Sequence, residues 1–240
     1  MAILVTGAAS GIGAALMERL GQHAIGLDRA GAQIICDLAD PDAIQRAAAA
    51  APAPLHGIAH VAGLPGTRDA ASILAVNTLA PMRLTEALLP KLAHGAAIVA
   101  VSSVTALRCT LPSQALDAML DDRCRDPELA AMPGTSAYEL SKALLNRWVM
   151  RMATLLRARH IRVNSVSPGP VETPILADFR ASMGEGRIAA ASSMVGRHGY
   201  PAEIAAVAAF LLGPSASWVN GTDVRVDGGF HAVRAVEPQG

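Results

Sequence analysis

An apolar run too short for anything but one buried strand, Ala2-Ile3-Leu4-Val5-Thr6, leads straight into Gly7-Ala8-Ala9-Ser10-Gly11-Ile12-Gly13. An amphipathic stretch from about Ile12 to Leu20 follows. Strand, glycine-rich turn and helix in immediate succession describe a phosphate cradle. Glycines let the backbone approach a pyrophosphate, and the helix supplies free N–H groups and a partial positive charge at its first turn. Gly7, Ser10, Gly11, Ile12 and Gly13 are therefore candidate cofactor contacts, and the context predicts an α/β chain rather than a mere tight turn.

The next segments agree. Ala24 to Leu27 reads as a second strand ending in Asp28, about 20 residues past Gly7, where a carboxylate can accept from both ribose hydroxyls of an adenosine and would repel a 2′-phosphate. The glycine loop holds no Lys or Arg, although Arg29 follows Asp28. The reading is NAD(H) in preference to NADP(H). Gln33 to Cys36 is a third strand, followed by Asp37-Leu38. Asp37 is placed either to accept from an adenine amino group or simply to open the next loop. Asp40 looks like the cap of a helix with Pro41 at its first position, continuing through the Ala-rich run 43–51 to Pro52 and Pro54. Gly57 to Val61 is a fourth strand with Ala62-Gly63 at its carboxyl end, the end at which open parallel sheets bind ligands.

Residues 70–91 read as one long helix containing Asn77, with Pro81 four residues on. A buried Asn needs partners, and a local distortion there would free a carbonyl. Ala96 to Val101 is a fifth strand ending in Ser102-Ser103. The stretch 104–135 is too long for an ordinary βα connection. It contains a helix-like segment from Gln114 to Cys124 and is expected to serve as a pocket wall or an interface element. Ser136 to Arg159 is a long helix with Tyr138 and Lys142 four apart, hence on one face. A phenol is a poor base at neutral pH, but a neighbouring ammonium favours the phenolate, which makes the pair a tunable general acid/base. Ile161 to Val166 is a sixth strand. It runs into a stiff loop with Pro168, Gly169, Val171 and Thr173, whose backbone and hydroxyl could fix a carboxamide. Residues 174–199 read as a flexible lid over the substrate. Ile175, Leu176, Phe179, Met183 and Met194 there suggest an apolar pocket, while Arg180, Arg187 and Arg197 would suit an acidic substrate. A helix from Pro201 to Leu212 and a strand from Asp223 to Val226 complete the pattern, and the tail from Gly228 shows none.

Composition decides what this pattern excludes. Hydrophobic residues make up 52% of the 240 and aromatic ones 3%, so the core must be built of Ala, Val, Leu and Ile, as suits helices packed closely on a parallel sheet. Twenty basic residues balance twenty acidic ones, which gives no footprint for nucleic acid or an anionic membrane. Cys36, Cys109 and Cys124 fit neither a zinc pattern nor a disulfide framework, so no metal and a reducing, cytoplasmic setting are expected. No signal peptide, membrane span, repeat or domain boundary is read, and residues 1–240 are taken as one domain.

Together, Gly7-X-X-X-Gly11-X-Gly13, Asn77, Ser103, Tyr138-X-X-X-Lys142 and Pro168-Gly169 resemble the short-chain dehydrogenase/reductase family over essentially the whole chain. Within it the likeness is greatest to bacterial 3α-hydroxysteroid dehydrogenase/carbonyl reductases, which also carry a long insertion between serine and tyrosine and a Val-Asp-Gly-Gly run, here Val226 to Gly229. The resemblance implies a Rossmann-type, doubly wound, seven-stranded parallel sheet. It implies a tetrad in which Tyr138 exchanges a proton with the alcohol while hydride passes between its carbon and the nicotinamide. Ser103 would hydrogen-bond the substrate oxygen, Lys142 would lower the tyrosine pKa and bind ribose hydroxyls, and Asn77 would hold a water leading from Lys142 to solvent. Ser102 would be structural. The family's Asn-Asn-Ala-Gly is here His60-Val61-Ala62-Gly63, so only the Ala-Gly backbone role carries over, and His60 is read as a packed strand-end residue. The insertion abutting the Tyr138 helix predicts a homodimer in place of the tetramer many relatives form. The function expected is an NAD-dependent secondary-alcohol dehydrogenase, with a hydroxysteroid or other alicyclic alcohol as substrate and oxidation as its working direction. The alternatives are a dinucleotide-binding regulator without turnover, an enzyme epimerising or dehydrating nucleotide sugars, and a dehydrogenase of small or acidic hydroxy compounds.

Overall fold

The computed structural model describes residues 1–236, leaving aside the side chains of residues 187, 188 and 191. In chain order the elements are β1 (Ile3–Thr6), α1 (Gly11–Leu20), β2 (Ala24–Asp28), β3 (Ile34–Ile35), α2 (Pro41–Ala50), β4 (Leu55–His60), α3 (Ala70–Leu74), a π turn (Ala75–Leu79) and α4 (Ala80–Leu88). They continue with β5 (Leu92–Val101), α5 (Ser113–Asp121), α6 (Pro127–Ala130), α7 (Gly134–Leu155), β6 (Arg162–Pro168), α8 (Leu176–Met183), α9 (Glu185–Val195), α10 (Pro201–Leu212), β7 (Asp223–Val226) and α11 (Phe230–Val236). The seven strands form one sheet in the order β3-β2-β1-β4-β5-β6-β7, with every pair parallel. The order reverses between β1 and β4, and there a crevice opens at the strands' carboxyl ends.

Strand periodicity sorts the apolar residues into two layers. Leu4, Ile58, Ile98 and Val163 point to the face covered by α2, α4 and α7. Ile3, Val5, Ala59, Ala97 and Val99 point to the face covered by α1 and α10. Small and branched aliphatic side chains fill both layers.

Four stretches differ from their sequence pattern. The third strand is only Ile34–Ile35, because the Gln33 side chain, not its backbone, bonds the neighbouring strand, accepting from the Gly26 N–H at 2.7 Å. The expected helix 70–91 is broken by the π turn at Asn77. Pro81 cannot donate to the Asn77 carbonyl, so the regular ladder has no partner for it there. The stretch read as a lid folds as two helices, α8 and α9. The patternless tail forms α11, opened by Asp227, whose carboxylate accepts from the Gly229 and His231 N–H groups.

The insertion divides in two. Val104–Arg108 makes a 3-10 turn directly after β5. Further on, α5 lies along α7: Leu116 and Leu120 are buried, Arg147 clasps Asp117 through Nε (2.8 Å) and Nη2 (2.5 Å), and Arg151 reaches Asp121 at 2.6 Å. Arg123 and Cys124 take positive φ just past α5 and end it three residues before its expected limit.

Candidate active site

The carboxyl ends of the strands open on a cavity of about 820 Å³. One end is made of backbone. Gly7 takes φ +68°, and a Cβ there would fall 2.9 Å from the backbone of Ala62. A Cβ on Gly13 would lie 1.9 Å from the Gly7 carbonyl oxygen, so the helix sits on the turn with no room for a side chain. The N-terminus of α1 has no side-chain cap from Ser10 and no acidic residue in its first turn. Such an uncapped, positively polarised helix start fits a pyrophosphate. Beside it Asp28 is held by two N–H donors, Ala9 to Oδ2 (3.0 Å) and Arg29 to Oδ1 (2.7 Å), which leaves each oxygen a free acceptor position. Arg29, Asp37 and Leu38 continue this wall, with the Asp37 carboxylate turned onto the Ala39 N–H at 2.9 Å.

The far end is made of side chains. Tyr138 and Lys142 lie on one face of α7, and both are buried. Lys142 Nζ donates to the Val101 carbonyl at 2.9 Å and stands 5.7 Å from the Tyr138 ring centroid. Burial pulls the lysine pKa down to about 8. Burial also pushes the Tyr138 phenol up to about 12, while the Ser103 hydroxyl, hydrogen bonding to it, pulls the other way. The sequence argument expected the ammonium to lower the tyrosine. In the structure desolvation outweighs that influence, since Lys142 is itself spent on a carbonyl and penalised by burial. Phe179 of α8 closes over the phenol edge-on, with ring centroids 5.2 Å apart.

Ser103 caps the 3-10 turn after β5. Its Oγ accepts from the Thr105 N–H (3.2 Å) and lies 3.0 Å from Thr105 Oγ1. Ser102 donates to the Lys142 carbonyl at 3.2 Å, tying β5 to α7. Asn77 lies behind the cavity wall. Its Oδ1 accepts from the Leu64 N–H (2.7 Å), and its Nδ2 donates to the Leu64 carbonyl (3.0 Å) and to Ser141 Oγ (3.1 Å). Ser141 in turn donates to the Tyr138 carbonyl at 2.8 Å, so the π turn, the loop after β4 and α7 are bolted together. Gly63 fits between: a Cβ there would lie 3.4 Å from Asn77 Oδ1 and 3.5 Å from Lys142 Nζ. His60 is buried, paired with Thr85 at 2.8 Å and set edge-on to Trp148, and burial drops its pKa to about 3.

The loop after β6 faces both ends. Pro168 and Gly169 line the cavity, and Gly169 packs closely on Asp227, whose Cβ lies 3.1 Å from a Cβ built at Gly169. Val171 bridges to Gly199, and the Thr173 methyl faces Gly11 across the channel. Every catalytic or cofactor-binding residue proposed from sequence borders the cavity except Asn77, and of the apolar residues expected in the pocket Ile175, Leu176, Phe179 and Met183 reach it while Met194 does not.

Against known proteins, the chain is 33% identical to the coniferyl-alcohol dehydrogenase of Pseudomonas sp. (strain HR199 / DSM 7063), over 95% of each chain. It is 32% identical to the 3-alpha-hydroxysteroid dehydrogenase/carbonyl reductase of Comamonas testosteroni, over 96% of each. This chain belongs to the short-chain dehydrogenase/reductase family. A family model described as enoyl-(acyl carrier protein) reductase matches residues 127–231 of this short-chain dehydrogenase/reductase. The crystal structure of the 3-alpha-hydroxysteroid dehydrogenase from Pseudomonas sp. B-0831, complexed with NADH, superposes with a TM-score of 0.89 at 35% identity, covering 99% of this chain and 100% of its own. Another solved member, from Burkholderia cenocepacia, holds NADP.

Several residues of this short-chain dehydrogenase/reductase site escaped the sequence reading. Thr6 Oγ1 accepts from the Val61 and Ala62 N–H groups (3.0 and 3.1 Å), holding the turn that lacks asparagines. Thr105 and Ser141 position other side chains. Phe230, His231 and Arg234 of α11 line the cavity, and the Asp227 cap was the one signal for that helix. The arginines at the cavity are Arg29, Arg68, Arg108 and Arg234. Arg180 and Arg197 are instead paired with Glu185 and Glu203, and the Arg187 side chain lies outside the described residues. Among the described residues no three His, Cys, Asp or Glu side chains gather as metal ligands, and no helix is long and apolar enough to cross a membrane.

Proposed function

We propose that this chain is an NAD-dependent oxidoreductase that interconverts a secondary alcohol and a ketone, with Tyr138 as the general acid/base and an alicyclic or hydroxysteroid-like alcohol as substrate. The observation that carries the proposal is one cavity with an uncapped helix start and Asp28 at one end and buried Tyr138, Ser103 and Lys142 at the other. A bound oxidised nicotinamide would supply the hydride acceptor and a positive charge near the phenol. The residues of this chain do the rest. Gly7, Ser10, Gly11, Ile12 and Gly13 receive a pyrophosphate. The free acceptor positions of Asp28 take ribose hydroxyls and disfavour a 2′-phosphate. Asp37 and Leu38 border the adenine, and Ala62, Gly63, Pro168, Gly169, Val171 and Thr173 orient the nicotinamide half. Lys142 holds ribose hydroxyls. Tyr138 takes the alcohol proton, and Ser103 donates to the substrate oxygen as charge develops on it. Asn77 positions these groups from behind. The wall of Leu64, Leu107, Phe179 and Met183 suits an apolar skeleton.

Oxidation is the direction we favour, in a reducing cytoplasmic setting that keeps the three free thiols. Because α5 covers the α7 face, we propose a homodimer, and light scattering showing a tetramer would overturn that. A second reading, a substrate with an acidic group, is favoured by Arg68 and Arg234 at the cavity.

The test is NADH or NADPH formation from NAD or NADP across 3α-hydroxysteroids, alicyclic alcohols, coniferyl alcohol and hydroxy acids. Turnover with NAD on an alicyclic alcohol is expected. Tyr138→Phe should lower it by about 10²–10⁴-fold while cofactor affinity stays unchanged. Loss of cofactor binding in Tyr138→Phe would remove the acid/base assignment. Cofactor binding without turnover on any alcohol would favour a regulator.

A further inference from the structure

We infer that Ser141 is a positioning residue for the reaction. Acting through Asn77, it sets the spacing between the loop after β4 and the helix that carries Tyr138 and Lys142. The inference rests on the acid/base reading of Tyr138 and on the role of Ala62 and Gly63 toward the nicotinamide. Ser141 is fully buried on α7. A serine within a helix often does no more than hydrogen bond a carbonyl one turn back, and Ser141 does donate to the Tyr138 carbonyl at 2.8 Å. That bond uses its one hydrogen, so its oxygen can otherwise only accept. It accepts from Asn77 Nδ2 at 3.1 Å.

Asn77 in turn has one way to lie. Leu64 presents an N–H and a C=O, and the carboxamide meets them with Oδ1 (2.7 Å) and Nδ2 (3.0 Å). Turned over, it would set donor against donor and acceptor against acceptor. The second Nδ2 hydrogen must therefore point away from Leu64, and Ser141 Oγ is its acceptor. Without that acceptor a buried N–H has no partner, which costs more than a solvated hydrogen bond contributes. The carboxamide could then recover a partner only by twisting out of its clamp on Leu64. Gly63 leaves no side chain to hold the spacing in its place: a Cβ there would lie 3.4 Å from Asn77 Oδ1 and 3.5 Å from Lys142 Nζ. Thr78, the next residue of the π turn, donates to the Ser141 carbonyl at 3.1 Å and keeps the turn docked on α7. Loss of the serine hydroxyl thus spares the fold and falls on the clamp. The loop after β4 helps place the nicotinamide while α7 places Tyr138, so a small change in their separation lowers the rate steeply.

The test is Ser141→Ala, with circular dichroism confirming the fold. Its kcat is expected to fall about tenfold while the cofactor dissociation constant stays unchanged, because the pyrophosphate and adenosine end is untouched. A second readout needs neither substrate nor cofactor. Exchange of the Leu64 amide hydrogen, followed by NMR, is expected to quicken on the order of tenfold. The Val61 and Ala62 amides, which Thr6 Oγ1 holds, should keep their protection. A serine that served only its own helix would leave the Leu64 amide as it was, and that result in folded Ser141→Ala overturns the proposal. Asn77→Ala and the double variant complete a cycle. The double variant is expected to turn over as slowly as Asn77→Ala alone, and losses that multiply overturn the route through Asn77. An unchanged kcat beside faster Leu64 exchange overturns the positioning role. Faster exchange in a protein that turns over no alcohol upholds the clamp and overturns instead the acid/base reading of Tyr138.

Discussion

Gly13 has the Gly7 carbonyl 1.9 Å from where its Cβ would stand, whereas Gly186 of α9 has no described atom within 4 Å of the same point. Gly13 lines the cavity beneath the cradle, whereas Gly186 belongs to the α8–α9 segment, which reaches the cavity through Leu176, Phe179 and Met183 of α8. The glycine turn is fixed by backbone meeting backbone, so its shape is complete before any ligand arrives. The α8–α9 segment is held by little: among its described residues Leu176 alone is buried, with Phe179 and Met183 resting on the Tyr138 cluster. An ion pair from Arg197 to Glu203 and a hydrogen bond between His198 and Glu172 secure its exit. The contrast assigns rigidity to the end that would recognise an invariant cofactor, and loose packing to the end that would accept a variable substrate.

The largest effect should come from filling the rigid end. Gly13→Ala is expected to cost about 3 kcal/mol of stability and to abolish dinucleotide binding, measured by denaturant unfolding and calorimetric titration. Wild-type values for both would break the contrast. Lys142, between the two regions, should show the opposite sign. Its pKa is depressed in the folded chain to about 8, from 10.5. The folded state therefore binds fewer protons between these values, and the cost of keeping the group charged is fully present below pH 8 and fades as pH rises toward 10.5. Lys142→Met should consequently gain about 1–2 kcal/mol at pH 7, less than the shift implies because the Val101 carbonyl loses its donor. It should lose turnover, and its stability gain should shrink in thermal melts above pH 9. Asp28→Ser is expected to move the NADP/NAD preference on the order of tenfold, about 1.4 kcal/mol, in initial-rate comparisons. A persistent NAD preference would shift the discrimination away from this carboxylate. Phe179→Ala should raise the alcohol KM a few-fold and leave the cofactor dissociation constant alone. Smallest of all, Gly186→Ala should leave activity intact and stabilise by about 0.5 kcal/mol through helix propensity. A loss comparable to Gly13→Ala would show that α9 is packed as tightly as the turn.

Sequence conveyed what local backbone rules govern. Gly7, Gly11 and Gly13 announce the turn, Asp28 marks a strand end, and Tyr138 and Lys142 share a helix face by spacing alone. The π turn was half legible, since Asn77 and Pro81 each break helix rules but neither states how the helix yields. Thr6, Thr105 and Ser141 were not legible, because each acts through a partner brought near only by the sheet or by a capped turn. A seven-residue helix such as α11 is too short to establish a period, and its Asp227 cap reads as an ordinary loop aspartate until the fold is known. The tyrosine's raised pKa was missed for a similar reason: spacing gives the neighbouring charge, but only packing gives the desolvation.

The π turn also governs the phase of everything after it. An α-helix rotates roughly 100° per residue, and a π turn accommodates one surplus residue without extending the ladder regularly. Winding Ala75–Leu79 as a regular α-helix with every residue kept would let α3 and α4 run on as one uninterrupted cylinder, yet it would swing Leu84 and Leu88, now fully enclosed, by about that angle away from the sheet. The irregularity at Asn77 thus works as a phase corrector, reconciling a helix whose first part must address the site with a second part that must seal the core.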